Sequence, residues 1–269
     1  MVLPSSGQIS INQIHVEAGG SSGTQVKLSD TDVKGLINAN TSIGNIQFSE
    51  YYGAAASNTT SSIAGGGSTT TNQFANCNVS LSTGNKLVVI IPMYRVQSAS
   101  TISNAPTSVT VGGQSATQHI INNTPNTTVN TYGHINSIWV LETTLSGTQL
   151  VTGSTATGTG NNSCIVYEIT GHTSATPMAT ASISNYSSSA ATARNINLSS
   201  QASGGTVVFG CTATGGTLTA SNSIVVSNNT FSNLNHGSGR LDGTSGGSFT
   251  YTWTNSVSGY FNIVAASFR

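Results

Sequence analysis

The stretch SFTYTWT, residues 248–254, decides the fold class, because aromatic and hydroxyl side chains alternate strictly along it. Successive side chains of a β-strand point to opposite faces, so Phe249, Tyr251 and Trp253 share one face and the serine and threonines share the other. One buried face and one solvated face is a common arrangement in antiparallel sheets. The stretch therefore predicts a strand of an antiparallel fold.

Comparable apolar runs recur along the chain at intervals of about ten residues, between clusters of Gly, Asn, Ser and Pro. The most apolar of these runs are LVVII (87–91), SIWVL (137–141), CIVYEI (164–169), GTVVFG (205–210) and GYFNIVAASFR (259–269). Their recurrence predicts about ten to twelve strands in two packed sheets. We therefore expect a mainly β chain with an antiparallel, jelly-roll-like β-sandwich.

Two local features refine this expectation. In VTVGGQSAT (109–117), the pair Gly112–Gly113 predicts a tight hairpin, because paired glycines permit the positive φ angles of a primed turn. The run at 259–269 is apolar enough to predict a central strand that closes the fold.

The surface of such a fold must be built from Ser, Thr, Asn and Gly, because only 5% of the residues are charged. Soluble domains typically carry about 25% charged residues. Few charges leave sheet edges unprotected, so the composition predicts a subunit of a larger assembly. A hydrophobic content of 36% argues against whole-chain disorder, and the lack of a basic stripe argues against a nucleic-acid partner.

The three cysteines, Cys77, Cys164 and Cys211, lie far apart in the sequence and include no CxxC pair. Each is next to strand-like residues, so we expect small buried side chains with neither a metal nor a redox role. We also expect no cofactor. No run of about eighteen apolar residues occurs, so insertion into a membrane is not expected.

The first 56 residues differ from the rest because they contain the clearest helix signal. Ser29 can cap the sequence that follows it, and Asp32 lies in the first turn. Val33 and Leu36 then share one face of the predicted helix. The preceding QISINQIHV (8–16) predicts a strand or a turn that leads into this helix.

The chain is expected to divide into three parts. Residues 1–56 form a small N-terminal module with one short helix. Residues 57–72 are rich in Gly, Ser and Thr and predict a flexible linker. Residues 73–269 are expected to form the β-sandwich.

The segment NLNHGSGRLDGTSGG, residues 233–247, is the strongest candidate for a ligand site. We expect a Gly-rich loop that carries His236, Arg240 and Asp242, and loops on a rigid scaffold commonly carry binding groups. The donors of Arg240 and the acceptors of Asp242 suit a sugar, while calcium would need more carboxylates than this one. The alternative is an Arg–Asp pair that only orders a long turn.

Catalysis by paired carboxylates has three candidates beyond the linker: Glu142, Glu168 and Asp242. Such catalysis needs two acids in different environments on one cleft. Glu142 and Glu168 belong to strand-like runs and are expected to be edge or outward residues. The five histidines form no short metal-binding or catalytic spacing. We therefore predict no enzymatic activity and no metal site.

The opening of the chain carries an ordered set of motifs: LPSSGQISINQIHVEAG (3–19), KLSDTDVKGLI (27–37) and IQFSEYYGAA (46–55). This set resembles an N-terminal module of structural proteins of tailed bacteriophages, especially tail and fibre proteins. In that family the module is joined to varied C-terminal regions, which implies attachment to the particle by a common base. The resemblance covers about the first 56 residues.

The remainder is similar in style to β-sandwich regions of phage virion proteins. The elements that carry this looser resemblance are LVVIIPMYR (87–95), SVTVGGQSATQ (108–118), residues 171–177 and IVAASFR (263–269). It indicates a virion protein without indicating which part of the virion, and it implies no catalytic residue.

The two resemblances imply a non-enzymatic virion protein, a tail fibre or tail-tip component that docks on the tail or baseplate. The docking residues expected on this basis are Ile9, Ile11, Val33, Leu36, Phe48 and Tyr51. The β-sandwich would then be exposed for binding a host-surface glycan. The resemblance also implies a homotrimer, because phage fibres are commonly trimeric.

Three alternatives stay open at this point. A capsid decoration or head-fibre protein would have the same two-part design, docked on the capsid. A tail-associated polysaccharide hydrolase would need two of the three acids named above. The third alternative concerns the aromatic residues. Rings that could stack on a sugar are those of Tyr94, Tyr132, Trp139 and Tyr186, and the alternative is that these rings are buried in the core.

Overall fold

A computed structural model describes residues 8–17, 22–23, 25, 33, 59–69, 74–96, 105–124, 133–155, 161–184, 191–221, 225–231 and 234–269. Within these ranges the chain is mainly β, with one short helix and seventeen strands, and every strand pair is antiparallel. The predicted fold class is confirmed. The strand number is higher than expected, because several strands are polar and carry no apolar run.

The elements follow one another along the chain from a helix to a closing strand. The first ten are α1 Ile11–Glu17, β1 Thr60–Thr69, β2 Cys77–Leu81, β3 Lys86–Val96, β4 Pro106–Val111, β5 Gln114–Ser115, β6 Thr117–Thr124, β7 Gly133–Thr143, β8 Gly147–Thr155 and β9 Asn162–Thr170. The others are β10 Ala179–Ser184, β11 Ala191–Ser203, β12 Thr206–Thr214, β13 Leu218–Ala220, β14 Val225–Phe231, β15 Leu234–Asp242, β16 Ser245–Gly259 and β17 Phe261–Phe268.

These strands form three sheets. The largest has nine strands in the order β5-β4-β8-β2-β1-β9-β3-β7-β6. The second has five strands in the order β10-β17-β12-β15-β14, and the third has three in the order β11-β16-β13. The nine-stranded sheet therefore contains the first half of the β region, and the two smaller sheets contain the second half.

The first sandwich, β1–β9, is one sheet folded onto itself. Val79, Val109 and Val151 of β2, β4 and β8 share a core cluster with Val88 of β3 and Val166 of β9. A flat sheet could not bring these strands together, because several other strands separate them in the sheet order. The sheet is therefore curved almost into a barrel around a mainly aliphatic core.

The sheet folds back at β1, the strand with three successive glycines. A Cβ atom on Gly65 would lie 2.6 Å from the carbonyl oxygen of Asn78, and one on Gly66 would lie 2.9 Å from that of Cys164. The backbones thus approach closer than any side chain permits, which is a known use of strand glycine. The neighbouring strands β2 and β9 bring Cα atoms within 8 Å of each other across β1.

This strand corrects the predicted linker. Residues 57–72 were expected to be flexible, yet Thr60–Thr69 pairs along its whole length with β9 inside the nine-stranded sheet. Small residues suit a flexible tether and a tight strand crossing equally well, so composition does not distinguish the two. The sandwich therefore begins before residue 73.

The second sandwich, β10–β17, packs the five-stranded sheet against the three-stranded sheet around aromatic side chains. The ring of Phe209 lies 4.9 Å from that of Tyr251 and 6.2 Å from that of Trp253, both in edge-on geometry. Tyr251 and Trp253 are fully buried, as the alternation predicts. Phe249 is 38% exposed instead, and the pairing of β16 with β11 becomes irregular next to it, between Leu198 and Gln201.

The two sandwiches stack through a third apolar cluster. Residues of β3, β7 and β9 meet Val208 of β12 and Val264, Ala266 and Phe268 of β17. β17 is buried at every position and pairs on both sides, which confirms the predicted central strand. The molecule is thus four β layers thick instead of the two that were expected.

The hairpin between β4 and β5 is as predicted. Val111 pairs with Gln114, so the loop consists of Gly112 and Gly113 alone. Their φ angles are 54° and 83°, the left-handed values of a primed turn.

The N-terminal region contains α1 where a strand or a turn was expected, so that prediction is wrong. The Ser10 hydroxyl accepts a hydrogen bond from Gln13 N at 3.2 Å, and the Gln13 side chain accepts one from Ser10 N at 2.7 Å. This is a reciprocal capping box, and its Gln form is easily overlooked. The Arg269 guanidinium then donates to the Glu17 carbonyl at 2.7 Å, which connects α1 to the end of β17.

The expected docking residues are only partly within the described ranges. Ile9 and Ile11 are half-buried, and Val33 is helical and fully buried. Leu36, Phe48 and Tyr51 lie outside the described residues, as does most of the predicted helix. In the described part of the chain, no helix is sufficiently long and apolar to cross a membrane.

Candidate ligand face and the polar contacts between layers

The segment expected to be a binding loop is a strand. Leu234–Asp242 forms β15 between β12 and β14 of the five-stranded sheet, so the loop prediction is wrong. His236, Ser238, Arg240 and Asp242 alternate with glycines at 237 and 239. The alternation of side chains that is typical of a strand is present in the sequence. It does not show as a hydrophobic pattern, because the buried positions are polar.

Asp242 connects the two sandwiches. Its Oδ1 accepts hydrogen bonds from the hydroxyls of Ser61 and Thr206, both at 2.7 Å. Its Oδ2 accepts from Ser61 N at 3.1 Å and from Arg240 Nη1 at 3.4 Å. The carboxylate therefore fixes β1 of the first sandwich to β12 and β15 of the second.

His236 lies apart from this pair. It is fully buried, and its Nδ1 is 2.6 Å from the Ser163 hydroxyl of β9. Next along β15, Ser238 is 2.7 Å from the Tyr167 hydroxyl, and burial raises the pKa of Tyr167 to about 12. The structure thus brings Arg240 and Asp242 together, whereas His236 contacts Ser163 instead. That the three residues bind a ligand stays a prediction.

Three asparagines form further contacts between the layers that sequence analysis did not find. Asn136 donates to the Asn262 carbonyl at 2.6 Å, and Asn262 donates to the His134 carbonyl at 2.9 Å. Asn122 donates to the Ile183 carbonyl at 2.9 Å. The available signal was an asparagine inside a mostly apolar strand, as in FNIVAASF (261–268).

The two strand carboxylates do not share a cleft. Leu87 pairs with Glu142 on one side and Val88 pairs with Glu168 on the other, so the two acids lie on opposite faces of the sheet. Glu168 is buried and accepts hydrogen bonds from the backbone and hydroxyl of Ser82. The described geometry therefore offers this pair no common substrate.

Glu142 has partners of its own. It accepts a hydrogen bond from Asn85 at 2.9 Å and lies 3.1 Å from His172 Nε2. Both contacts lower the pKa of Glu142 below its usual value, and the hydrogen bond from Asn85 has the larger effect.

The outward side of β2, β4 and β8 is a polar face without charge, which we call the hydroxyl face. It consists of Asn78, Ser80, Ser108, Thr110, Thr148, Leu150, Thr152 and Ser154. Thr110 and Thr152 are hydrogen-bonded at 2.8 Å, and Ser108 and Ser154 at 2.7 Å. Leu150 lies among these residues and is 51% exposed. None of the three strands contains Asp, Glu, Lys or Arg.

The opposite surface of the molecule is similar. On the outer side of the three-stranded sheet, Thr252 donates to Asn195 at 2.8 Å, and Thr219 and Thr254 are 2.5 Å apart. Arg194 is the one charged residue of these strands, and it pairs opposite Trp253, whose side chain faces the core. Both outer layers thus present hydroxyl and amide groups.

The candidate stacking rings belong to the core where they are described. Tyr94 and Trp139 are buried in the core of the first sandwich, and burial raises the pKa of Tyr94 far above its usual value. Tyr132 and Tyr186 lie outside the described residues. Among the described residues, no three His, Cys, Asp or Glu side chains gather in a group that could hold a metal ion.

Comparison with known proteins gives no relative: no family model, curated protein or solved structure matches the chain. The four-layer fold, the contacts between its layers and its charge-free outer faces are therefore the observations from which a function can be inferred.

Proposed function

We propose that the protein is a non-enzymatic structural component of a tailed-phage virion, of the tail-fibre or tail-tip kind. In this proposal residues 1–56 dock on other virion proteins of the tail or baseplate. The stacked sandwiches are exposed and bind an uncharged glycan of the host surface through the hydroxyl face. The motif order of the first 56 residues supports the docking part, and the fold supports the display part.

The hydroxyl face is the observation that carries the glycan part. Its polar groups are hydroxyls and amides, which donate and accept hydrogen bonds as sugar hydroxyls do. No ion has to be desolvated when an uncharged sugar binds there, which removes a large unfavourable contribution. Leu150 supplies an apolar contact for the CH groups of a sugar ring. The strands beneath it are fixed by the buried core, so the face is preorganised.

The positions of the acids support a binding role over hydrolysis. Glu142 and Glu168 lie on opposite faces of the sheet, and Asp242 is engaged by Ser61, Thr206 and Arg240. A glycosidase needs two carboxyl groups about 5 to 9.5 Å apart across one bond. Glu142 and Glu168 therefore do not flank one bond, and Asp242 is occupied by contacts that join the two sandwiches.

The glycan part is tested with a charge placed on the hydroxyl face. Thr152→Glu introduces a carboxylate beside Leu150, and Thr252→Glu introduces the same group on the opposite surface as a matched control. Binding is measured on an array of neutral bacterial oligosaccharides. We expect the wild-type protein and the control to bind the same sugars, and Thr152→Glu to lose at least about tenfold in affinity, or about 1.4 kcal/mol. Equal binding by all three proteins would mean that the sugar does not bind at the hydroxyl face.

The docking part is tested by removing residues 1–56. The truncated protein is first checked for a native β circular-dichroism spectrum and for its oligomeric state, for which we propose a homotrimer. It is then offered to particles that lack the native protein. A folded fragment that no longer joins particles supports the proposal. A folded fragment that still joins them places the docking surface in the sandwiches.

A further inference from the structure

Two of the three cysteines meet inside the first sandwich, although they come from strands that are not neighbours. Cys77 lies on β2 and Cys164 on β9, with β1 between them. Both belong to the same core cluster, where Cys164 is close enough to Cys77 to lower the pKa of its thiol. Cys211 lies in the core of the second sandwich.

The contact depends on a glycine in the intervening strand. Gly67 of β1 pairs directly with Cys164, and a Cβ atom on Gly67 would lie 3.0 Å from the Cβ of Cys77. The space that a side chain at 67 would occupy is therefore filled by Cys77. The fold of the sheet at β1 brings Cα atoms of β2 and β9 within 8 Å, so the two sulfurs can approach above the glycine.

We propose that Cys77 and Cys164 are a cross-linking site, and that a small peroxide oxidises them to an intramolecular disulfide between β2 and β9. Only a small oxidant fits, because Cys164 is fully buried and Cys77 is 7% exposed. This proposal does not depend on the glycan-binding or docking role. It gives two of the cysteines a redox role where the sequence predicts only small apolar side chains.

The reaction balances in two steps. The Cys77 thiolate attacks one oxygen of hydrogen peroxide, the O–O bond breaks, and Cys77 sulfenic acid and hydroxide form. The Cys164 sulfur then attacks the Cys77 sulfur, the S–O bond breaks, and the Cys164 proton leaves with the departing oxygen as water. The hydroxide takes up the proton that the Cys77 thiol lost on ionising, so in total two thiols are oxidised, one peroxide is reduced and two waters are produced.

The environments of the two thiols determine which cysteine reacts with peroxide first. The hydrogen bond from Cys164 lowers the pKa of the Cys77 thiol, and burial raises the pKa of Cys164. The thiolate is the nucleophile, so the more exposed Cys77 reacts with peroxide and Cys164 closes the disulfide. Cys211 is fully buried in the other sandwich and serves as an internal control.

The test is peroxide oxidation of the folded, full-length protein. After a timed exposure the protein is unfolded, its free thiols are alkylated, and its peptides are analysed by mass spectrometry without reduction. We expect a peptide pair linked through Cys77 and Cys164, with Cys211 alkylated. Cys211→Ser should give the same linked pair.

A second variant reports the order of attack. With Cys164→Ser we expect no linked pair and a sulfenic acid on Cys77 that dimedone traps. Wild-type protein in which Cys77 accumulates as sulfinic acid beside a free Cys164 would overturn the proposal. Complete alkylation of both cysteines after exposure would overturn it as well. The wild-type peptides decide the matter even if the variant does not fold.

Discussion

The two sandwiches of this molecule enclose their cores in different ways. The first is a single nine-stranded sheet folded at a glycine-containing strand around mainly aliphatic side chains. The second is built from two separate sheets around Phe209, Tyr251 and Trp253. The first therefore depends on how closely backbones approach at β1, and the second on the volume of a few rings. Substitutions should affect the two halves for different reasons.

The largest effect is expected from removing ring volume in the second sandwich. Trp253→Ala should destabilise the protein by about 3 to 5 kcal/mol, because it leaves a cavity beside Phe209 that the surrounding strands cannot fill. The measurement is urea unfolding followed by circular dichroism. Phe249→Ala on the same strand is the matched control, and its partly exposed ring should cost much less. Equal losses would mean that the second core does not depend on its buried rings.

A methyl group at the fold of the first sandwich should have the next largest effect. Gly65→Ala should cost about 1 to 3 kcal/mol, because the new Cβ would press on the carbonyl of Asn78 and strands so tightly packed accommodate it only by shifting. Ser62→Ala, on the exposed side of the same strand, is the control and should be near neutral. If Gly65→Ala were also neutral, β1 would behave as the flexible linker that composition predicts.

The contact between the sandwiches should contribute less. Asp242→Ala leaves Ser61 and Thr206 without their shared acceptor and should cost about 1 to 2 kcal/mol. Ser61→Ala and the double variant complete a cycle, and we expect the double variant to cost less than the sum of the single ones. Additive losses would show that Asp242 and Ser61 do not act together across the layers.

The smallest effect is expected at Glu142, whose side chain is exposed, and this effect depends on pH. Contacts with Asn85 and His172 lower its folded-state pKa, so it adds stability above the unfolded-state pKa of about 4.3 and loses it as the pH falls through the folded-state value. Glu142→Gln should therefore unfold at slightly lower temperature than wild type at pH 7, with the difference vanishing at low pH. Asn85→Ala should act in the same direction. If the difference in unfolding temperature persisted at low pH, the ionised form of Glu142 would not be its cause.

The sequence predicts the parts of this fold in which the buried face is apolar. Tyr251 and Trp253, the Gly112–Gly113 hairpin and the central β17 follow from alternation and turn chemistry, which are local. β15 is missed because one of its buried faces carries polar residues and the other includes glycines. β1 is missed because glycine composition does not show whether another backbone lies alongside.

The sequence predicts which residue types pair at the candidate site, but it does not predict which distant residues they contact. Arg240 and Asp242 do form a pair, yet their partner Ser61 is 181 residues away from Asp242 in the chain, and no local pattern reports such a distance. The hydroxyl face is invisible in the sequence for a related reason. Its threonines and serines are ordinary residues there, and they become one surface only when β4, β8 and β2 lie side by side.

The lack of charge in the strands of the hydroxyl face has a consequence for the surroundings in which the protein works. At 0.1 M salt, dissolved ions screen the attraction between exposed charged groups that lie more than about 10 Å apart, but they have little effect on hydrogen bonds between uncharged groups. A contact made through this face should therefore be equally strong in fresh water, in brine and in the fluids of an animal host.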